Sequence, residues 1–249
     1  MKTKLMGRDP RTVAREISGI LESIFPNLTI KTVTHLNRLC TSTPEAQSIP
    51  AELLTASKLE KSMLFEVAIT ITESQLKEPQ LPDWDEILLR AVKRQRLFYD
   101  AKLPKTIDHE DREIATIVGN NLFNTLKNLA HKHHLKPHEI CIAPKIPGHN
   151  WIASGAGDFS INSTLIEVKC AEKNFSSADY RQVLMYWIMS YMHALETEET
   201  EWHACIMLNP RTNKILEFKF NDLIGITALS RSKIEIIETF KASIITPHN

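Results

Sequence analysis

The sequence predicts an α/β fold, because segments with helical spacing of apolar residues alternate with short strand-like runs in its second half. Helices are predicted at Glu110 to His134 and at about Ala178 to Leu195, where apolar side chains recur every three or four positions. Strands are predicted at Glu139 to Ala143, as a pair within residues 157–170, at Trp202 to Leu208 and at Lys214 to Phe220. The order of helix, three strands, helix and two strands is typical of an α/β core, which helical segments within residues 221–245 then close.

The N-terminal part of the chain predicts mainly helices. Asp9 and Pro10 are typical of a helix start, and one amphipathic helix is predicted from the apolar residues that follow. Those residues are Val13, Ile17, Ile20, Leu21 and Ile24. Further helices are expected at about 51–61 and 83–100, and the alternating pattern from Met63 to Thr72 predicts a strand with one buried face. We therefore expect a mainly helical region over residues 1–105 and an α/β core over residues 106–249.

Basic residues are concentrated near the end of the predicted 83–100 helix and just after it. They are Arg90, Lys93, Arg94, Arg96, Lys102 and Lys105. One interpretation is a solvated helix end, since cations complement the dipole at a helix C-terminus. The other is a track for nucleic-acid phosphates, in which Arg94 and Arg96 are the candidate substrate contacts.

Composition excludes several classes of protein. The 249 residues carry 30 Lys and Arg against 30 Asp and Glu, so a polyanion would have to bind through a local patch. No apolar run approaches the roughly 20 residues that span a bilayer, and the start of the chain lacks the apolar core of a signal peptide, so we expect a cytoplasmic protein without membrane contact. The four cysteines form no CxxC pair, which indicates neither a zinc site nor an iron–sulfur cluster.

The stretch GDFSINSTLIEVKC, residues 157–170, places three charges among β-prone apolar residues. If Asn162 and Ser163 form a two-residue turn, counting outward sets Asp158 opposite Glu167. Opposed residues share a face of the sheet, and Lys169 joins that face because side chains alternate along a strand. The residues expected to point into the core are Ile166, Val168 and Cys170. The hairpin thus gathers two carboxylates and one ammonium group on one side.

Two carboxylates held so close repel each other unless a proton, a cationic side chain or a metal ion neutralises them. A hard divalent ion such as Mg²⁺ or Mn²⁺ suits an oxygen-only pair and completes its shell with water and phosphate oxygens. A neighbouring lysine can then orient or deprotonate water, or stabilise charge on a phosphate, which is the chemistry of phosphodiester hydrolysis. The alternative is a ladder of ion pairs on a solvent-facing sheet, which contributes little to stability.

The next predicted helix carries polar groups on an otherwise apolar surface. Gln182 and Tyr186 are four residues apart and therefore lie on one helix face. A glutamine among apolar neighbours must satisfy its amide within the protein. It is either a satisfied polar group of the core or a part of the site formed by the hairpin.

These residues together resemble the PD-(D/E)XK nuclease superfamily, in particular its RecB-like branch with a QxxxY motif. The matching features are Asp158, the sequence Glu167-Val168-Lys169 after a short hairpin, and a helix with Gln182 and Tyr186 at QxxxY spacing. The resemblance covers roughly residues 108–220 and implies a restriction-endonuclease-like core, in which helices flank a mixed central sheet. The chain departs from the pattern in having Gly157 where proline is usual, and it lacks the cysteine quartet of the iron–sulfur relatives.

The resemblance implies a role for each matching position. Asp158 and Glu167 would ligate Mg²⁺ or Mn²⁺ together with the carbonyl of Val168, and Lys169 would act on the attacking water or the scissile phosphate. The residues of the following helix, Gln182 and Tyr186, would support the site and contact the substrate backbone.

The family often adds a glutamate from the first core helix. Glu113 is our candidate, because it precedes an apolar helix face that points toward the sheet, and Glu110 one turn earlier is nearly as suitable.

The expected function is therefore metal-dependent hydrolysis of nucleic acid, DNA rather than RNA, by an endonuclease or an exonuclease. The superfamily suggests restriction, phage defence, repair or recombination, and the sequence does not choose among them. A homodimer or a partner protein in a multi-component system is expected from base rates alone. Two alternatives stay open: a non-catalytic nucleic-acid-binding or assembly subunit that retains the nuclease fold, and a structural partner that docks through residues 1–105.

Overall fold

A computed structural model gives the fold and describes residues 7–43, 46–78, 80–95 and 103–245. The strands in this part are Thr41–Ser42 (β1), Cys141–Ile142 (β2), Lys145–Ile146 (β3), Gly155–Ala156 (β4), Phe159–Ile161 (β5), Thr164–Val168 (β6), Ala204–Asn209 (β7) and Lys214–Lys219 (β8). Within these residues a six-stranded sheet has the order β1-β8-β7-β6-β5-β2, and β3 pairs separately with β4.

Helices cover both faces of this sheet and extend beyond it. Those in the described part are Pro10–Glu16 (α1), Ile20–Ile24 (α2), Ile30–Arg38 (α3), Ala51–Ala56 (α4), Lys61–Lys77 (α5), Trp84–Gln95 (α6), His109–Lys132 (α7), Ser177–Glu196 (α8), Phe220–Thr227 (α9) and Lys233–Ser243 (α10), with a 3₁₀ turn at Pro137–Glu139. No helix in these ranges combines the length and apolarity needed to cross a bilayer.

The predicted α/β class is confirmed. β6 and β7 pair in parallel, whereas the other neighbours in the sheet are antiparallel, so the sheet is mixed. The chain order α7, β2, β5, β6, α8, β7, β8 is the predicted succession of helix, three strands, helix and two strands. The parallel pair requires a crossover, and α8 provides it.

The two faces of the sheet pack against different helices. Leu165 of β6 lies in a buried cluster with Leu184 of α8, and Ile166 lies in another cluster with Leu126 of α7. Because successive residues of a strand point to opposite faces, β6 is buried on both sides, and all five of its residues are buried. Its one charged residue, Glu167, is therefore inside the protein.

The prediction of a strand from Met63 to Thr72 is wrong, because these residues belong to α5. This helix packs against both α6 and α7 and is buried around most of its circumference. The segment therefore lacks a solvent-exposed polar face, from which the helical period of 3.6 residues could be distinguished from the strand period of two. The hydroxyls of the threonines bond within the helix, since Thr70 donates to the Glu66 carbonyl at 2.8 Å and Thr72 to the Ala68 carbonyl at 3.0 Å.

Several other boundaries differ from the prediction. The single helix expected after Pro10 is two helices, because the backbone is extended at Ile17 and left-handed at Gly19, where φ is 92°. The expected strand 139–143 is a 3₁₀ turn followed by the short β2, and α4 ends at Ala56. The helix predicted over 83–100 is α6 up to Gln95, and residues 96–100 lie outside the described ranges.

The N-terminal helices pack closely on the sheet and its flanking helices. α1 packs against α8, α5 packs against α7, and β1 extends the sheet beside β8. The described part of residues 1–105 is mainly helical, as predicted. The domain boundary between residues 105 and 106 stays a prediction.

Candidate active site

The hairpin that carries the predicted carboxylates has the expected register. Ile161 of β5 lies opposite Thr164 of β6, and Asn162 in the turn has a φ of 51°, which asparagine tolerates better than most residues. Counting outward along this register, the residue before β5, Asp158, lies beside Glu167 of β6. The turn therefore sets which carboxylates meet.

The side chain of Asp158 is anchored to β6. Its Oδ2 accepts a hydrogen bond from the backbone N–H of Val168 at 2.7 Å. Asp158 remains partly exposed, whereas Glu167 is only 3% exposed. This burial does not fit a ladder of ion pairs on a solvent-facing sheet. The two carboxylates lie instead where bulk water screens their repulsion poorly.

Gln182 of α8 connects Glu167, Lys169 and Tyr186. Its Nε2 donates to Glu167 Oε1 at 2.6 Å and to the Tyr186 hydroxyl at 3.0 Å. Its Oε1 accepts from Lys169 Nζ at 2.9 Å, and the same Nζ lies 2.8 Å from Glu167 Oε1. The structure thus brings these four predicted residues into one hydrogen-bonded cluster. Gln182 is a satisfied buried amide, and the groups that satisfy it belong to the site.

Two further residues join this cluster that the sequence interpretation did not include. Asp179 lies one turn before Gln182 on α8, and its Oδ1 is 3.8 Å from Lys169 Nζ. Arg15 of α1 donates to Asp179 Oδ1 at 2.8 Å and to Gln182 Oε1 at 3.3 Å. The sequence carries one signal for Asp179: with Ser176 it forms the capping box that begins α8. Nothing in the sequence pairs Arg15 with α8.

The cluster borders a cleft of about 790 Å³. The site residues that line it are Asp158, Glu167, Val168, Lys169 and Asp179. The lining residues from α1 and α5 are Arg11, Arg15, Lys61, Ser62, Phe65 and Glu66. Gln182 and Tyr186 are 1% and 3% exposed and do not border the cleft, so they hold the site from behind rather than offer a surface to substrate.

The guanidinium of Arg94, a predicted substrate contact, is engaged by other residues of the protein. Its guanidinium forms ion pairs with Glu66 at 2.9 Å and Glu73 at 2.7 Å, and it also donates to the Thr70 hydroxyl. These contacts favour a structural role in which Arg94 fixes Glu66 at the cleft wall. Arg96, the other predicted contact in this segment, lies outside the described residues.

The predicted helix carboxylate does not reach the cleft. Glu113 lines a separate depression on α7 together with Trp84 and Arg112, and its Oε2 is 4.0 Å from His109 Nδ1. Glu110 does not line the cleft of Asp158 and Glu167 either. Two helices contribute acidic side chains to that cleft, α8 with Asp179 and α5 with Glu66. Glu66 was hidden from sequence reasoning by the wrong strand prediction.

The acidic groups of the cleft have different electrostatic surroundings. Burial, and next the charge of Glu167, raise the pKa of Asp158 to about 7, although Lys169 acts in the opposite direction. Burial also raises the pKa of Glu66. For Asp179 burial is outweighed by Lys169 and by hydrogen-bond donors, which hold its pKa below the usual value. Asp179 is thus a stable counter-ion, whereas Asp158 lacks sufficient positive charge nearby.

The donor set fits a hard divalent cation. Glu167 Oε2 is buried and has no hydrogen-bond partner among the described residues, and Asp158 lies beside it. No group of three or more His, Cys, Asp or Glu side chains in the described ranges is arranged to hold a metal. Mg²⁺ is nevertheless commonly held by one or two carboxylates, with water and substrate phosphates completing its shell. Asp158 and Glu167 match that requirement, and Val168 lines the same cleft.

Comparison of the chain with protein-family models, with curated proteins and with solved structures finds no significant match.

Proposed function

We propose that the chain is a divalent-metal-dependent nuclease with a restriction-endonuclease-like core, in which Asp158, Glu167 and Lys169 form the catalytic site. The observation that carries this proposal is the position of Lys169 Nζ, 2.8 Å from Glu167 Oε1, in a cleft that also holds a second, electrostatically unsatisfied carboxylate. The resemblance to PD-(D/E)XK nucleases, rather than the geometry, favours DNA over RNA as the substrate.

The chain's own residues have distinct roles in this proposal. Asp158 and Glu167 hold Mg²⁺ or Mn²⁺, which when bound neutralises their charge and polarises the scissile phosphodiester. Lys169 lies at the cleft surface, where its ammonium group stabilises negative charge that develops on the phosphate and orients the attacking water. Gln182 fixes the side chains of both Glu167 and Lys169, because one amide bonds to each of them.

Burial of the supporting groups suits this chemistry. Because Gln182 and Glu167 are almost fully buried, their hydrogen bonds do not compete with bulk water and hold the reacting groups in a fixed geometry. Asp179 contributes a second negative charge near Lys169 and, through Arg15, connects the site to α1. Lys169 is thereby held by groups on both β6 and α8.

The test is cleavage of linear, circular and single-stranded DNA and of RNA, each with Mg²⁺, Mn²⁺ or EDTA. Wild type is compared with Lys169→Ala and with Lys127→Ala, which removes an exposed lysine of α7 outside the cleft. We expect metal-dependent cleavage that falls by about 10² to 10⁴ in Lys169→Ala and is unchanged in Lys127→Ala. Isothermal titration with Mn²⁺ should show that Lys169→Ala still binds metal.

The other outcomes distinguish the alternatives. Equal cleavage by wild type and Lys169→Ala would reject the assignment of the site. A folded wild-type protein that neither cleaves any substrate nor binds Mn²⁺ would support a non-catalytic subunit that retains this fold. Metal binding without cleavage would direct the search toward a partner protein that completes the enzyme.

A further inference from the structure

The short helix α1 presents two arginines on the same side of the cleft. Arg11 and Arg15 are four residues apart, so they lie on one face of the helix. The helix is firmly placed, because Asp9 caps it by accepting the Arg11 backbone N–H at 2.8 Å, and Val13 and Ala14 are buried. Both guanidinium groups line the cleft that holds the carboxylates. The segment that carries them lies outside the stretch that resembles the nuclease family.

The two arginines differ in how their charge is used. Arg15 bonds to Asp179 and Gln182 and is therefore part of the network behind Lys169. The guanidinium of Arg11 makes no hydrogen bond and no ion pair with any residue in the described ranges, and Arg11 is exposed. Its charge nevertheless lies close enough to oppose the rise in the pKa of Asp158 and of Glu66 that burial causes. Arg11 is a cation beside the reacting groups whose donors are available to a ligand.

A second available cation lines the same cleft from another segment. Lys173, in the loop between β6 and α8, is exposed and makes no ion pair with the described part of the chain. Lys61 differs, since it pairs with Glu172 at 3.0 Å. Two free cations on separate segments around paired carboxylates match a ligand that carries several negative charges along its length. A single phosphate group or a small carboxylic acid would need only one of them.

We propose that Arg11 and Lys173 bind two backbone phosphates of a nucleic-acid strand next to the phosphate that is cleaved. This inference rests on the proposed nuclease function and adds to it that the N-terminal helix forms part of the substrate site. Arg15, on the same helix face, is instead a positioning residue for Asp179 and Gln182. The two arginines of α1 therefore predict different kinetic defects.

The test measures binding of a short fluorescent single-stranded DNA in EDTA, where metal-dependent cleavage does not occur, at salt concentrations between about 50 and 200 mM. Arg11→Gln and Lys173→Gln are each expected to weaken binding about tenfold and to reduce the slope of log K against log salt by about 0.7, and the double variant by about 1.4. The control is Arg8→Gln, which removes a nearby exposed arginine that does not line the cleft.

Kinetics with Mg²⁺ separate the roles of the two arginines. Arg11→Gln should raise KM while kcat is retained, and Arg15→Gln should lower kcat. Salt slopes for Arg11→Gln and Lys173→Gln that equal the slope of Arg8→Gln would overturn the inference. They would not contradict the proposed nuclease function, which the cleavage assay tests separately. A reduced salt slope in both variants, with no cleavage and no Mn²⁺ binding by wild type, would support strand binding by Arg11 and Lys173 and would reject the placement of a cleaved phosphate beside them. Equal affinity for polyglutamate would overturn the assignment of a nucleic-acid strand.

Discussion

Replacing Asp158 with asparagine should stabilise the metal-free protein at neutral and alkaline pH. Protein atoms displace most of the water around this carboxylate, although the residue keeps some exposure to the cleft. Burial and the neighbouring charge of Glu167 raise its pKa from the ordinary 3.8 to about 7. Asparagine keeps the shape of the side chain and an oxygen that can accept the Val168 N–H, but removes the charge. The substitution therefore isolates the cost of holding a second carboxylate.

The sign and size of the effect follow from proton linkage. A carboxyl with a higher pKa in the folded than in the unfolded protein keeps its proton better when folded, so ionisation penalises the folded state. The penalty is absent below about pH 4, grows toward about pH 7 and is constant above it. The difference between 3.8 and about 7 corresponds to about 4 kcal/mol. Because Asp158 retains some solvent contact and asparagine accepts the Val168 N–H less strongly, we expect a net gain of about 2 kcal/mol.

Thermal unfolding in EDTA at about pH 5 and pH 8 measures this gain. For a chain of 249 residues, about 2 kcal/mol corresponds to a rise in Tm of about 4–8 °C at the higher pH, with a much smaller difference at the lower one. Mg²⁺ should raise the Tm of wild type and not that of Asp158→Asn. Asp222→Asn, which changes an exposed carboxylate of α9, is the control. An Asp158→Asn protein that melts below wild type at both pH values would refute the reasoning.

Three substitutions test the packing around the site, each by urea unfolding. Gly119→Ala should lower the free energy of unfolding by about 1–3 kcal/mol, because its Cβ would come within 2.9 Å of Ile71 Cγ2. An unchanged urea midpoint would mean that α5 and α7 move apart without cost to admit the methyl group. Asn162→Ala should cost about 1 kcal/mol because φ at this turn is 51°, and a stabilised variant would contradict that conformation. Arg94→Met should lower the free energy of unfolding by about 2 kcal/mol, because it leaves Glu66 without its ion pair. Unchanged stability would indicate that Glu66 takes up a proton in the variant.

The register of the hairpin could be predicted because it depends on local chemistry. Asn162 tolerates positive φ, and with a two-residue turn the alternation of side chains fixes every pair outward from it. Asp158, Glu167 and Lys169 could therefore be placed on one face from the sequence alone. The spacing of Gln182 and Tyr186 on one helix face is equally local.

The location of the cleft could not be predicted in the same way. Its far wall is α5, whose buried circumference gives a sequence pattern that fits a strand as well as a helix. The wrong strand prediction removed Glu66 from consideration and left Glu113 and Glu110 as the candidates for a helix carboxylate. A helix that is buried around most of its circumference lacks a wide polar face from which its period can be read, and α5 is such a helix.

The pairing of Arg15 with Asp179 was also beyond the sequence. The two residues are 164 positions apart and meet only because α1 packs on α8. The balanced composition conceals how charge is arranged there. Within the cleft, Lys169 and Arg15 are engaged by carboxylates and by Gln182, whereas the guanidinium of Arg11 has no acceptor among the residues that the structure describes. Net charge therefore says little about whether such a protein binds a polyanion.

In the proposed nuclease, we expect the N-terminal segment to influence which substrates are accepted. The proposed catalytic residues Asp158, Glu167 and Lys169 lie at or beside the end of β6, and helices α1 and α5 line the cleft in front of them. Arg11 on one of these helices and Glu66 on the other line the same cleft as Lys169. Arg94 holds Glu66 by an ion pair, and the Asp9 cap holds the backbone of α1 that carries Arg11. For the proposed nuclease we therefore expect substrate form to depend on residues outside the PD-(D/E)XK and QxxxY motifs, and we expect an exchange of α1 to change specificity without changing the proposed chemistry at Lys169.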